Sequence, residues 1–255
     1  MRGYPDDERR YARHRVLPEI GEAGQAKLLS SSALVVGAGG LGAAALGYLA
    51  AMGVGRIGIA DHDRVELSNL QRQLLFETAD VGRLKVDAAA DRIGEINPGC
   101  AVESHAVKLE PANALALVGA YDIALDCTDN FAARFALSDA CLSEKKTLVS
   151  AAISGFEGQL SVFKAHLGPP HPCYRCLVAH TPPRQVDCVQ EGMLGALAGV
   201  MGSMQAVEAV KELLGVGQSL SGRLLLYDAL AARPRTVLLP RESTCPACGI
   251  FSSSS

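Results

Sequence analysis

Ala33-Leu-Val-Val36 runs without a break into Gly37-Ala-Gly-Gly-Leu-Gly42. The first four residues are short and wholly apolar, the pattern of a strand buried on both faces. An Ala- and Leu-rich stretch to about Met52 then reads as a helix, and Arg56-Ile-Gly-Ile-Ala60 as a second strand ending at Asp61. Strand, helix and strand make a βαβ unit with a right-handed crossover. Gly37 permits the tight turn, Gly39 lets backbone approach a phosphate, and Gly42 allows the helix to pack closely on the strand. The positive helix N-terminus then faces that phosphate. Asp61 stands where a ribose hydroxyl is held in such units. An adenine nucleotide is the expected ligand, but the glycines do not separate NAD from ATP.

Outward from this unit, residues 6–15 and 22–29 are expected as short helices. Gly82 to Ile96 reads as a helix stopped by Asn97-Pro98. Strands fit at 101–107, 122–126 and 146–151, with a helix at about 130–143. This alternation predicts a mostly parallel sheet covered on both faces. After Ser154, Gln159–Lys164, Leu224–Tyr227 and Thr236–Leu239 look antiparallel. The expected class is α/β, a Rossmann-like mostly parallel sheet extended by antiparallel strands. One domain over 1–255 is expected, with a helical arm at 1–30, a nucleotide-binding half at 31–154 and a second half at 155–250. Met193–Val207 is uncharged but spans only 15 residues before Glu208, Lys211 and Glu212, short of the roughly 20 that cross a bilayer. It reads as a buried helix, with Gly195, Gly199 and Gly202 as a packing face toward the sheet or a second subunit.

The 255 residues are 49% hydrophobic and 20% charged, an ordinary globular balance. A net charge of −3 gives no electrostatic footprint for nucleic acid. The first residues are too acidic for a signal peptide. Among eight cysteines, Cys173-Tyr-Arg-Cys176 and Cys245-Pro-Ala-Cys248 are two CxxC units separated by 68 residues. Such spacing without a signal peptide favours reduced thiols and a cytoplasmic protein. The four thiolates can surround one Zn²⁺ tetrahedrally, stapling the tail of the chain to its middle. His166, His171 and His180 are then bystanders. Between the pairs, Cys188 is left for chemistry or for nothing; Arg184, Asp187 and Glu191 around it give mixed electrostatics, from which no lowered thiol pKa is inferred. The stretch from Thr181 to Gly192 is expected as a loop over the nucleotide site.

Asp63, Ser68, Asn69, Gln71, Arg72 and Lys85 place polar and cationic groups just past the second strand. A triphosphate under attack needs them, because charge develops on the transferring and leaving phosphates. Asp126-Cys-Thr-Asp-Asn130 ends another apolar strand. Asp129, with Asn130 beside it, is placed to bind Mg²⁺, or else to cap the following helix. Cys127 is expected in the core.

Together with Arg10-Tyr-x-Arg13 and Ser68-Asn-Leu-Gln-Arg72, these motifs resemble the ubiquitin-activating-type adenylyltransferases, the MoeB/ThiF/HesA family, and within it the molybdopterin-synthase adenylyltransferase (MoeB) type. The resemblance covers nearly the whole chain. It implies adenylation, by ATP and Mg²⁺, of the C-terminal Gly-Gly carboxylate of a ubiquitin-like sulfur carrier, which the second half would bind. It implies that Gly40 and Asp61 hold ribose and phosphate, that Asn69, Arg72 and Lys85 hold the triphosphate, and that Asp129 binds Mg²⁺. It implies Zn²⁺ on Cys173, Cys176, Cys245 and Cys248. Arg13 matches a residue that reaches the partner subunit's ATP site, so a homodimer is implied. Cys188 matches a residue that forms a thioester or acyl-disulfide in some relatives; in others the adenylate goes directly to a sulfur donor, such as a cysteine desulfurase or a rhodanese. The carrier's pathway, whether molybdopterin, thiamine or tRNA thiolation, stays open. An NAD-dependent oxidoreductase is the alternative the glycines permit, and Arg72, Lys85 and Asp129 argue against it. A non-catalytic dimeric scaffold is the other, and the same three residues argue against that too.

Overall fold

The computed structural model describes residues 7–181 and 192–249. In chain order, the first half holds α1 (Asp7–Arg10), α2 (Ala12–Arg15), α3 (Gly21–Ser30), β1 (Ser32–Val36), α4 (Gly40–Ala51), β2 (Arg56–Ala60), α5 (Lys85–Ile96), β3 (Ala101–His105), α6 (Pro111–Gly119), β4 (Ile123–Asp126), α7 (Phe131–Ser143) and β5 (Thr147–Ser154). Then follow β6 (Glu157–Phe163), α8 (Tyr174–Leu177), α9 (Gly195–Leu214), β7 (Arg223–Asp228) and β8 (Arg233–Leu238).

All eight strands form one sheet in the order β3-β2-β1-β4-β5-β6-β7-β8. The strands from β3 through β5 pair in parallel, and β5 through β8 pair antiparallel. The chain therefore changes direction across the sheet between β1 and β4, the switch point at which such sheets bind ligands. Side chains of β1 alternate between two cores. Ala33 and Val35 pack with Leu46 and Leu49 of α4, Val86 and Ile93 of α5 and Met201 of α9. Leu34 and Val36 pack with Val118 of α6 and with Phe135 and Leu137 of α7. Both faces are covered, as the wholly apolar strands demand.

The expected 6–15 helix breaks in two, because Tyr11 turns inward to 2% exposure and takes a hydrogen bond from Asn97 Nδ2 at 2.8 Å. Arg10 donates to the Ile96 carbonyl at 2.8 Å, so the arm is docked on the end of α5. Helix α5 starts at Lys85 rather than Gly82, whose φ of +92° is a left-handed turn no helix contains. Helix α6 was not expected, although Pro111 sits at its first turn and Glu110 and Asn113 form a reciprocal capping box. The stretch around Met193–Val207 lies in α9, which runs on to Leu214. Of its glycines, Gly202 makes a close crossing: a Cβ there would lie 2.2 Å from the Leu41 carbonyl of α4. Gly199 faces open space, so the expected three-glycine packing face is not continuous. Among the described residues no helix is long and apolar enough to cross a membrane.

Candidate active site and metal centre

The glycine turn, Asp61 and Asp129 follow β1, β2 and β4, three adjacent strands, and so meet at one edge of the sheet. Gly37 has φ +92°, and a Cβ on it would lie 2.6 Å from the Cys127 carbonyl. A Cβ on Gly42 would lie 1.9 Å from the Gly37 carbonyl. The turn is thus folded against both the start of α4 and the end of β4. Gly39 is the N-cap of α4 and has no side chain to satisfy the first-turn amides, which leaves them for an anion.

Asp61 is 9% exposed. Its Oδ2 accepts from the Ala38 amide at 2.7 Å and its Oδ1 from the Asp63 amide at 2.8 Å. The carboxylate braces the glycine turn and keeps further lone pairs on both oxygens. Lys85 is buried, and its Nζ donates to Asp63 Oδ2 at 2.9 Å while its backbone amide donates to the Asp63 carbonyl at 3.0 Å. His62 Nε2 stands 3.4 Å from the other Asp63 oxygen. Asp61, His62 and Asp63 lie close enough to share a cation, but the lysine and the two amides already serve these carboxylates.

A 3₁₀ turn at Leu67–Asn69 carries the next group. Asn69 is buried, and its Oδ1 accepts from the Glu66 amide at 3.3 Å. Ser68 Oγ donates to Glu66 at 3.2 Å, and Arg72 Nη1 donates to the Ser68 carbonyl at 3.1 Å. The stem of Arg72 lies against Gly40: a Cβ there would stand 3.4 Å from Arg72 Cγ and 2.8 Å from Ala198 Cβ. The turn therefore lays the Arg72 stem along the N-terminus of α4, with its guanidinium held on the Ser68 carbonyl. Gln71 points elsewhere, its Oε1 packed on Gly195 of α9. Gln73, absent from the sequence reading, is 2% exposed. Its Nε2 is 3.8 Å from where a Gly39 Cβ would be, and its Oε1 has no hydrogen-bond partner.

The cap of α7 is Asn130, whose Oδ1 accepts from the Ala133 amide at 2.9 Å. The capping role considered for Asp129 is therefore filled by its neighbour, and Asp129 stays exposed beyond the carboxyl end of β4. Asn130 is correspondingly committed to the helix, and its Nδ2 donates to Asp129 Oδ1 at 3.4 Å. Behind them, Gln205 of α9 donates to the carbonyls of Asp126 and Val149 at 2.8 and 3.3 Å, and Cys127 Sγ donates to its Oε1 at 3.4 Å. Burial raises the Cys127 and Cys141 thiols well above their ordinary value and Cys100 to about 12, so these three are core residues. Arg13 is exposed on the arm. Cys188, with the rest of 182–191, lies outside the described residues.

Away from the sheet edge, the sulfurs of Cys173, Cys176, Cys245 and Cys248 converge. Cys173 is 3.6 Å from Cys245 and 4.0 Å from Cys176, and Cys176 is 3.5 Å from Cys248. Four sulfurs at about 2.3 Å from a tetrahedral zinc stand about 3.8 Å apart, so the set fits that ion. Hydrogen bonding from Cys173 pulls the Cys176 thiol below its ordinary value, while burial pushes Cys248 above it. No histidine joins the cluster among the described residues. The two residues inside the first CxxC face α7. Arg175 holds Asp139 with two bonds of 2.9 and 2.7 Å and lies 4.4 Å over the Phe135 ring. Tyr174 packs edge-on against Phe135 and Phe163 at 5.7 and 5.6 Å.

The fold is similar to that of Escherichia coli MccB. Its crystal structure with MccA-N7isoAsn superposes with a TM-score of 0.83 at 20% identity, covering 95% of this chain and 75% of that one. PaaA gives 0.78 at 23% identity, covering 94% and 76%. In sequence, the chain is 45% identical over 253 residues to the Thermus thermophilus "sulfur carrier protein adenylyltransferase", covering 98% of this chain and 93% of that protein. It is 50% identical over 243 residues to the maize "adenylyltransferase and sulfurtransferase MOCS3-1", and 47% over 247 to bovine MOCS3. It covers 51% and 54% of those two, so it spans about half their length. The model of the ThiF family matches residues 11–247, almost all that the structure describes, and the chain belongs to that family.

Proposed function

We propose that the chain is an ATP-dependent adenylyltransferase acting on the C-terminal Gly-Gly carboxylate of a ubiquitin-like sulfur carrier protein. The observation that carries this is the grouping of uncapped α4 amides, the Arg72 side chain lying on Gly40 and the exposed Asp129 carboxylate at the ends of adjacent strands flanking one switch point. The name and near full-length similarity of the Thermus relative support it. The carrier carboxylate attacks the α-phosphorus of ATP, the bond to the bridging oxygen breaks, and pyrophosphate leaves with its electron pair. No base is needed, because a carboxylate near pH 7 is already ionised. The α4 amides, with Gly37, Gly39, Gly40 and Gly42 keeping the backbone close, receive phosphate oxygens. Asp61 has lone pairs to accept a ribose hydroxyl. Arg72 and Lys85, with Ser68 and Asn69 shaping the turn, meet the charge that builds on pyrophosphate. Asp129 would hold Mg²⁺, which when bound neutralises phosphate charge.

Four cysteines would hold one structural Zn²⁺, whose full shell leaves no place for substrate. A homodimer, in which Arg13 reaches the partner subunit's nucleotide, a cytoplasmic location, a sulfur donor and an acyl link at Cys188 belong to the same reading. The test is exchange of radiolabelled pyrophosphate into ATP with a purified ubiquitin-fold sulfur carrier ending in Gly-Gly. Exchange with the intact carrier and none with one lacking its last glycine is expected. Equal exchange with both would refute the assignment.

A further inference from the structure

Arg134, in the first turn of α7, contributes nothing to the site as described, yet it is only 9% exposed. Its Nη2 donates to the Thr128 carbonyl at 2.8 Å. Its Nε stands 3.8 Å from Asp126 Oδ2 and has no hydrogen-bond partner. Asp126 is completely buried. It accepts from the Thr128 amide at 3.1 Å, the Thr128 hydroxyl at 2.7 Å and the Ser150 hydroxyl at 2.7 Å. Thr128 is thus gripped at its amide and hydroxyl by one charge and at its carbonyl by the other. Asn130, two residues on, is fixed by the cap of α7. Between these clamped residues stands Asp129, its carboxylate exposed.

A buried ion pair without a direct bond between its charged atoms is a poor device for stability, since desolvation opposes the attraction. It is a good device for fixing a backbone. We propose that Arg134 is a positioning residue: through the Thr128 carbonyl it holds the Asp129 carboxylate at the place where Mg²⁺·ATP meets the end of β4. The proposal rests on the reading of Asp129 as the Mg²⁺ anchor. Mg²⁺ demands near-ideal octahedral geometry, so a carboxylate displaced by a loosened turn binds it less well even when nothing touching the metal has changed.

The experiment measures ATP binding by calorimetry over a Mg²⁺ series, with no carrier present. Arg134→Met alone would strand the Asp126 charge, so the main variant is the pair Asp126→Asn with Arg134→Met. That pair removes both charges and keeps an amide oxygen for the two Thr128 donors, while the amide nitrogen takes the place of the oxygen facing Ser150 and donates to its hydroxyl. It is expected to retain zinc and its melting temperature, yet to need about tenfold more Mg²⁺ for half-maximal binding, the scale of loss when the groups behind a metal ligand are removed. Arg134→Lys, which keeps the charge but not the planar fork, should shift in the same direction by less. It serves as the readout if the pair does not fold. In an Asp129→Asn background the further changes should add nothing, because they act through Asp129. Wild-type Mg²⁺ dependence in the folded Arg134 variants, with a clear shift in Asp129→Asn, overturns the positioning role and leaves the anchor intact. Unchanged dependence in Asp129→Asn itself removes the anchor and this proposal with it.

Discussion

Asp129 shows how one side chain's role is decided by its neighbour. Because Asn130 takes the helix cap, Asp129→Ala removes no structural bond of consequence and should change stability by no more than about 0.5 kcal/mol, as at other exposed positions. Pyrophosphate exchange should be abolished while the denaturation midpoint stays put; near-normal exchange at saturating Mg²⁺ would deny the metal role. Gly42→Ala should do the opposite. Its Cβ would strike the Gly37 carbonyl at 1.9 Å, and the backbone cannot yield without opening the turn. A loss of about 1–3 kcal/mol, read by denaturant titration, is expected, and ATP binding should weaken with it. At this scale the glycines, Asp61 and Arg72 were legible, because each depends on a few residues of local spacing. Gln73 was not, since its approach to Gly39 is made by a 3₁₀ turn that composition does not reveal. The choice between cap and ligand at Asp129 was open for the same reason: Asp and Asn are both good caps, and only geometry says which is used.

Among the elements, α7 and α9 carry the burden of holding the site. Asn130→Ala should cost about 1 kcal/mol by loss of the cap and, unlike Asp129→Ala, should show it as a lowered melting temperature. Unchanged melting would mean the cap is dispensable. The crossing of α9 over α4 is set by Gly202, where even a methyl would press on Leu41 and Ala44. The parallel strands and the helices between them were legible, because fully buried strands are apolar throughout and helix stops such as Asn97-Pro98 are local. Helix α6 was missed although its capping box and Pro111 are ordinary start signals. It is short and mostly Ala and Leu, so its periodicity is faint. The break in the arm at Tyr11 was not legible at all, because the partner that pulls the ring inward, Asn97, is 86 residues away.

For the molecule as a whole, the pairing of two distant CxxC units was readable from spacing, but their grip on α7 was not, since Tyr174 and Arg175 look like spacer residues. Cys245→Ser should release zinc and lower the melting temperature; full zinc content in that variant would point to another ligand. Acid should also loosen this region. Burial lowers the pKa of His166 below its ordinary value, so the unfolded chain binds the proton more tightly than the folded one. Its contribution to stability is complete above about pH 6.5 and is lost as pH falls toward the lowered folded value. A His166→Gln variant should flatten that part of the melting profile, and an unchanged slope would assign it elsewhere. The reach of the four-cysteine cluster has a last consequence. One end of α7 is clamped by Arg175 from inside the knuckle, and the other end presents Asp129. Two of the four sulfurs arrive only with Cys245 and Cys248. A nascent chain that stops short of them, or a chain clipped there by a protease, would possess every residue proposed to bind nucleotide and still lack the brace behind Asp129. Competence for catalysis would then report that synthesis had passed the second cysteine pair.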